Sequence, residues 1–550
     1  MVKRRFLLQN IQGLTPAVDA RQSENLAFVL HGRNYIVDSK GPKSFFASRL
    51  VNRCVPVDAL PNAANVQSGA DLIFTRDSAG FFSSTTLNEW QFNRIFTYPA
   101  PIRTDFIWRR WTTAFVGATL FIAHPGIGLW KRTVTGFVQV DPGIAGPQAI
   151  VETNGRLVVL GSTAVAWSGP ANPEDFTPAL GGAGFQIISE RISGAPFMLT
   201  TNASGYIVWT TSGSLVGEFI AGDLVFRHYI SRHSHKPIND MAYVRMPDNS
   251  YLICTRQGIF TLAENNEPAP ATPVFNEFFR ELIKTVQDAG LRIRLDYDRE
   301  SDLLFLQLRN ESTFFNTTFV LTVAIDKWGE FNQSHLGIIE LGIKTEPVRS
   351  LIGYVDTKGI AHRFIPYGSS REVAHGVFEG LDSEVVLGPL RAPDLLQQFY
   401  DVEQELQGFF LSNHARPEWS QNLIEQLDEN NGTALIDEGI DLLTGMPNTP
   451  IEESDSHTPF PHTTNRVSVI ADWSGFDPAG FLFHGSTDPS IQMAVESVPS
   501  VSHAQVSGIH YTTLSPGIWH RVRIKAVDVN EYFHITAGEF TFDLSGRLGT

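Results

Sequence analysis

The sequence predicts an all-β protein whose largest part is a β-propeller, and two observations carry that prediction. The first is composition. Of 550 residues, 42% are hydrophobic and only 18% charged, with 39 Phe, 45 Gly and 31 Pro, as expected of strands separated by tight turns. The second is recurrence: short strand-like runs return in similar units at 25–50, 71–99, 106–140, 157–176, 197–220, 241–263, 291–331 and 351–366. Units of this spacing read as propeller blades, although a stacked pair of β-sandwiches uses many of the same signals. Four segments follow: an N-terminal arm (1–24), the propeller (25–380), an acidic, partly helical or loop insertion (381–465), and a C-terminal antiparallel β-sandwich-like domain (466–550).

At the N-terminus, MVKRRFLLQN carries basic residues, but Gln9 and Asn10 cut its apolar run well short of a signal-peptide core. No run approaches the roughly 20 apolar residues of a spanning helix, so a membrane span is not expected. Cys54 and Cys254 lie far apart and read as buried free thiols, not a disulfide framework or a zinc site.

Within the propeller segment, the run LVVLGSTAVAWSGPANPEDF (157–176) is the most structured signal. Two apolar runs split at Gly161 and Ser162 predict adjacent strands. In the loop that follows, Ser168, Asn172 and Asp175 are expected to accept backbone hydrogen bonds, while Trp167 and Phe176 bury its ends. The run RIRLDYDRESDLLFLQL predicts a hairpin with a charged turn at 298–301, and FVLTVAIDKWGEF a further strand and turn. Between 274 and 288, Phe275, Phe278, Phe279, Leu282, Ile283 and Val286 recur at helical spacing. They predict a short amphipathic helix covering a sheet edge or a propeller face.

The segment 381–458 holds 16 acidic residues against two basic ones, a net −14 out of −16 for the whole chain. Leu395, Phe399, Val402, Leu406 and Phe409 predict one apolar helical face there, a tight β arrangement being the alternative. Residues 445–465, rich in Pro, Thr, Ser and His, read as a linker. From 466 onward VSVIADW, FLFHG, IWHRVRIKAVDV and YFHITAGEF return to strand alternation.

Motifs with a strong mechanistic spacing are missing. There is no phosphate-binding GxxxxGK[ST] loop, GxSxG elbow, HExxH helix or paired CxxC. His233 and His235 read as an exposed basic loop rather than a metal pair, and Asp296, Asp298, Glu300 and Asp302 as a solvated turn rather than a calcium loop. The stretch IWRRW (107–111) contains Trp108, Arg109, Arg110 and Trp111. It is expected to be a strand with its tryptophans packed inside and its arginines paired with acids of a neighbouring subunit; a nucleic-acid grip is the competing reading. A sequence pI near 5.5 argues against a DNA-binding footprint. Neither catalytic residues, nor a cofactor, nor a metal are expected.

The run 157–176, together with HGRNYIVDSKGPKSFFASRL in the unit 25–50, resembles the tail nozzle proteins of short-tailed bacteriophages, also called packaged-DNA stabilisation proteins. The final strands ending in Gly546-Arg547-Leu548-Gly549 fit loosely; the turn at 168–171 is richer in Pro and Gly than the family's usual one. The resemblance implies a non-enzymatic virion protein, assembled in the host bacterial cytoplasm, that forms a homohexameric ring in the tail. Such a ring sits beneath the portal and adaptor, offers surface to tail fibres or spikes, closes the exit channel after packaging and passes double-stranded DNA during ejection. In that setting Asp401, Glu403, Glu405, Asp437, Glu438, Asp441, Glu452, Glu453 and Asp455 are candidates either to line the channel, repelling a polyanion, or to dock a basic partner on the exterior. A propeller glycan hydrolase or glycan-binding module is the alternative function.

Overall fold

The structure, a computed structural model, describes 2–8, 11–14, 28–49 and 65–391 with internal breaks, of which 341–351 and 366–376 are the longest, and the strands between 462 and 544. The chain divides into two compact units. Unit 2 comprises Ala47–Val320 and Asn332–Glu379; unit 1 collects Met1–Phe46, Leu321–Phe331 and Gly380–Thr550.

Unit 2 is a β-propeller. Its described residues hold seven sheets, numbered here as blades in chain order. Blade 1 runs Gln67–Gly69, Leu72–Phe74, Ser78–Thr86 and Glu89–Thr97; blade 2 Thr112–Val116, Thr119–His124, Gly128–Arg132 and Phe137–Gln139. Blade 3 runs Ala149–Thr153, Arg156–Leu160, Ala164–Trp167 and Gly184–Ile187; blade 4 Pro196–Asn202, Gly205–Thr210, Ser214–Phe219 and Phe226–Ile230. Blade 5 runs Tyr243–Arg245, Tyr251–Thr255, Gly258–Leu262 and Pro268–Pro270, and blade 6 contributes Leu291–Asp298, Leu303–Asn310 and Thr317–Thr322. Blade 7 takes His335–Glu340, Ile352–Asp356 and Ala361–Ile365 from late in the sequence and completes itself with Phe46–Arg49 and Val377–Glu379. An early strand thus sits beside the last blade's own three, tying the start of the ring to its end.

The first strand of each blade lies innermost, and neighbouring blades meet there. Gln67 Oε1 accepts from the Trp111 N–H (3.0 Å), joining blades 1 and 2, and Thr112 Oγ1 accepts from the Ile150 N–H (2.9 Å), joining 2 and 3. Blades 3 and 4 share the cluster of Val158, Leu160, Trp167, Leu199, Tyr206 and Val208. Blades 4 and 5 are joined by the Thr201 and Tyr251 hydroxyls (2.7 Å), and 5 and 6 by Leu295 N–H to the Met241 carbonyl (3.0 Å). Arg294 Nη2 donates to the Ile338 carbonyl (2.7 Å) between 6 and 7, and Val66 N–H to the Leu336 carbonyl (3.0 Å) closes 7 onto 1. Apolar faces buried between blades supply the driving force, and these polar links fix the register.

The run 157–176 folds as its residues predict. Arg156–Leu160 and Ala164–Trp167 form the hairpin, turning through Gly161. In the loop, Ser168 Oγ accepts from the Leu157 N–H (3.0 Å), Asn172 Oδ1 from Glu174 (3.0 Å) and Asp175 Oδ1 from Thr177 (3.0 Å), with Trp167 and Phe176 buried. The predicted helix is α1, Pro273–Lys284. Its Asn276 side chain extends the pairing of Gly258–Leu262 past the end of Pro268–Pro270, accepting from the Ile259 N–H (2.8 Å) and donating to the Ile259 carbonyl (3.0 Å), which the Ala271 N–H also reaches (3.1 Å). The Ile259 N–H, inside the sheet, is thereby satisfied.

Unit 1 draws on both ends of the sequence. One sheet orders Val2–Leu8, Ile535–Leu544, His462–Ala471, Gly508–Tyr511 and Ser502–Gln505, with Ser515–Gly517 beside His462–Ala471. A second orders Gln12–Leu14, Phe28–Arg33, Ser383–Arg391, Trp519–Ala526, Phe481–Ser486 and Val495–Ser497. Residues expected to be an N-terminal arm and a first blade therefore pair with strands from late in the sequence: Val2–Leu8 runs antiparallel along Ile535–Leu544, and Phe28–Arg33 along Ser383–Arg391, a strand at the start of the segment expected to be the acidic insertion. Composition registers strands but not their partners, so this division was not readable from the segment boundaries.

Candidate functional site at the propeller axis

The first strands of blades 1 to 6 line an axial cavity of about 420 Å³, within the size range of small-ligand sites. Its lining is largely polar and includes Gln67, Thr113, Thr201 and Asp296. Three arginines, Arg110, Arg245 and Arg294, line it together with two carboxylates, Glu152 and Asp296.

Beside the cavity the charges are organised into two ion pairs. Arg109 Nε lies 2.7 Å from Asp240 Oδ2, and the same oxygen accepts from the Arg110 N–H at 2.9 Å. Arg109 Nη2 donates to Gln148 Oε1 and to the Phe197 carbonyl, both at 3.1 Å. Arg294, buried, lies 2.6 Å from Asp296 through Nε, and gives Nη1 to the Val66 carbonyl (2.6 Å) and Nη2 to the Ile338 carbonyl. Asp296 Oδ2 also accepts from Gln307 Nε2 at 2.5 Å. Burial, and then the Arg110 charge, hold the Arg294 pKa below its ordinary value, with Asp296 opposing them. The guanidinium still stays ionised, as arginine does in proteins.

Arg110 is different. One of its N–H groups reaches the Tyr243 carbonyl (2.9 Å), and its guanidinium lies 4.4 Å from the Tyr243 ring centre, a cation–π contact. Burial raises the Tyr243 phenol above its ordinary pKa, so the ring presents a neutral face.

Several expectations change here. The stretch 107–111 is not a strand: it leaves a turn and enters blade 2 at Thr112. Trp108 and Trp111 are buried as expected, Trp111 stacking on Phe74 at 4.3 Å. The acid that pairs with Arg109 is Asp240 of the same chain, not of a neighbouring subunit. This happens because the turn falls at the axis, where blade 5 supplies the acid. Asp296 is not part of a solvated turn but faces the axis. Asp298 and Asp302 do belong to the turn: Asp298 accepts from Ser301, and Asp302 Oδ1 from the Tyr297 hydroxyl at 2.7 Å. Burial, reinforced by that bond, pushes the Tyr297 pKa up to about 12. Glu300 and His233 lie outside the described residues. His235 is half-buried with its ring 4.2 Å from that of Phe260, so it is packed, not an exposed basic position. Cys254 is a buried free thiol whose pKa burial raises; Cys54 lies outside the described residues. So do all nine acidic candidates, Asp401, Glu403, Glu405, Asp437, Glu438, Asp441, Glu452, Glu453 and Asp455, and the predicted helical face from Leu395 to Phe409.

The axial cluster itself escaped sequence reasoning because its members are remote: Arg294 and Asn65, 3.3 Å apart, are separated by 229 positions.

No protein-family model matches the sequence, and no curated protein matches it. Among solved structures the chain is similar to PorZ, a bacterial surface component of the type-IX secretion system of Porphyromonas gingivalis, at 12% identity and a TM-score of 0.34. That match covers 58% of this chain and 50% of PorZ, so the chain spans half the length of that relative. It is similar to YCF48 from Cyanidioschyzon merolae (10% identity, 57% of this chain and 98% of that one, TM-score 0.32). It is also similar to BamB from Moraxella catarrhalis (6% identity, 59% and 99%, TM-score 0.31).

Proposed function

We propose that the chain is a structural subunit of a virion, the tail nozzle of a short-tailed bacteriophage, working as a homohexameric ring rather than as an enzyme. The resemblance in 157–176 and 25–50 motivates this reading. The observation that carries it is an apolar outer rim. The outermost strands of blades 2, 3 and 4 leave Val138, Phe185, Ile187, Tyr229 and Ile230 exposed, and Leu180 and Leu224 stand out beside them at 87% and 71% exposure. The loops carrying the two leucines are joined by the Gly181 N–H to the Asp223 carbonyl (3.2 Å), so they form one projection. Exposed apolar side chains on outermost strands suit a surface that assembles.

In this reading the neighbouring copy covers the rim, and DNA passes through the lumen between subunits. The axial cavity of one propeller, about 420 Å³, has no room for a duplex whose major groove alone is about 12 Å wide. The commitment of Asp240 and Asp296 to arginines favours a scaffold over acid–base chemistry. Portal, adaptor, and fibres or spikes are the partners this function requires.

Negative-stain imaging and native mass spectrometry of the purified protein, alone and with its connector, test the proposal. Six-fold rings are expected. A species that stays monomeric with its connector and releases sugar from capsule would overturn the proposal in favour of the hydrolase. The double variant Leu224→Asp, Tyr229→Lys is expected to abolish rings while leaving thermal unfolding almost unchanged, since exposed substitutions typically change stability by no more than about 0.5 kcal/mol.

A further inference from the structure

The axial cavity holds unspent hydrogen-bond donors and a net positive charge, in a protein whose overall charge is −16. Among its lining charges, three arginines face two carboxylates, leaving one net positive charge. Asp296 Oδ2 is taken up by Arg294 and Gln307, and one oxygen of Glu152 accepts from the Gly155 N–H (2.9 Å) in its own hairpin turn. Arg110 has no carboxylate on its guanidinium among the described residues: Asp240 meets its backbone N–H, and the Tyr243 carbonyl takes one side-chain hydrogen. Arg245, exposed, has one bond, to Asn249 Oδ1 at 2.9 Å.

Two hydroxyl positions add to the excess. Ser68 Oγ accepts from the Glu340 N–H (2.9 Å), which leaves its own hydrogen to give. Thr201 and Tyr251 share one hydrogen bond between two hydroxyls, so one of their two hydrogens is also left over. Both positions line the cavity. Water can take these donors, but a single anion satisfies several at once and also offsets the uncompensated guanidinium.

We propose that the propeller's axial cavity binds a small oxyanion, a phosphate or carboxylate group, held by Arg110 and Arg245 and oriented by the hydroxyls of Ser68 and the Thr201–Tyr251 pair. Arg110 is suited to the central role because Tyr243 fixes its plane, so little side-chain freedom is lost on binding. Arg294 contributes charge but no free hydrogen-bonding edge. The site is independent of the nozzle reading and stands whether or not the chain assembles into rings.

Isothermal titration calorimetry of the full chain with inorganic phosphate, with sodium acetate, and with sodium chloride at matched ionic strength tests it. Millimolar or tighter binding of phosphate or acetate over chloride is expected; phosphate alone indicates a phosphate group, acetate alone a carboxylate. Arg110→Met is expected to weaken binding about tenfold or more, as loss of a charge-assisted pair should. Arg245→Gln, on an exposed side chain, is expected to weaken it several-fold without touching the fold. Arg103→Gln, an exposed arginine paired with Asp105 and outside the cavity lining, is expected to leave it unchanged. No anion-specific heat with the wild-type chain, or binding unaffected by Arg245→Gln and by a folded Arg110→Met, overturns the proposal.

Discussion

Asp240 shows how much one side chain holds at the axis. It is buried, neutralises Arg109 and caps the Arg110 N–H with the same oxygen. Asp240→Ala would strand a half-buried guanidinium and an amide together, and is expected to destabilise unit 2 by about 3 kcal/mol. Urea unfolding read by tryptophan fluorescence checks this. Asp240→Asn should cost less, because it keeps the amide cap. His124 makes a second residue-scale case. Its Nδ1 accepts from the Gly126 N–H (3.1 Å), its ring stacks on Trp111 at 4.5 Å, and burial drives its pKa down to about 3. A depressed histidine adds stability that is fully present above about pH 6.5 and is lost as pH falls toward 3. The slope reaches about 1.4 kcal/mol per pH unit. Buried His335, also near 3, acts in the same direction. His124→Gln is therefore expected to flatten the acid limb of stability against pH, and an unchanged slope would contradict the burial argument. Neither residue was singled out in the sequence, since a histidine on an apolar face has no local mark of its burial.

At the scale of elements, Lys327–Phe331 and Tyr35–Val37 in unit 1 carry a titration of opposite sign. Glu330 Oε2 accepts from the Gly32 N–H at 3.0 Å, and burial pushes its pKa up to about 7 against that bond. Gly32 is required there, because a Cβ would lie 2.5 Å from the Glu384 carbonyl oxygen and from the Tyr35 ring. A raised carboxyl favours the folded state below about pH 4.5, and that contribution is lost as pH rises through about 7. Glu330→Gln is thus expected to stabilise the protein at pH 8 by about 1–3 kcal/mol and to change little at pH 4.5, as thermal melts at the two pH values would show. The strands, the 157–176 loop and α1 were legible because periodicity and turn chemistry are local. The role of Asn276 was not legible: its partner is the backbone of Ile259, and backbone carries no sequence signature.

For the whole molecule, the propeller follows from repetition, and its closure from an early strand, Phe46–Arg49, joining the sheet of the last blade. In the nozzle reading, neutralising Asp437, Glu438 and Asp441 as the amides is expected to slow DNA ejection by letting the duplex adhere to a less acidic wall. Unchanged ejection with lost fibre attachment would move that segment to the exterior. The sequence by itself determined the all-β class, the blade-like repeats, the short amphipathic helix, the shaped loop after Trp167 and the concentration of acid in 381–458. Each of these rests on neighbours within a few residues, or on composition. Only the tertiary structure decided that Phe28–Arg33 leaves the blades to pair with Ser383–Arg391. It also decided that Arg109 finds its acid in blade 5, and that Arg110 is left facing a cavity without a carboxylate of its own. Those outcomes depend on which innermost strands ring closure brings together, and pairing between residues more than a hundred positions apart leaves no periodic trace in the chain.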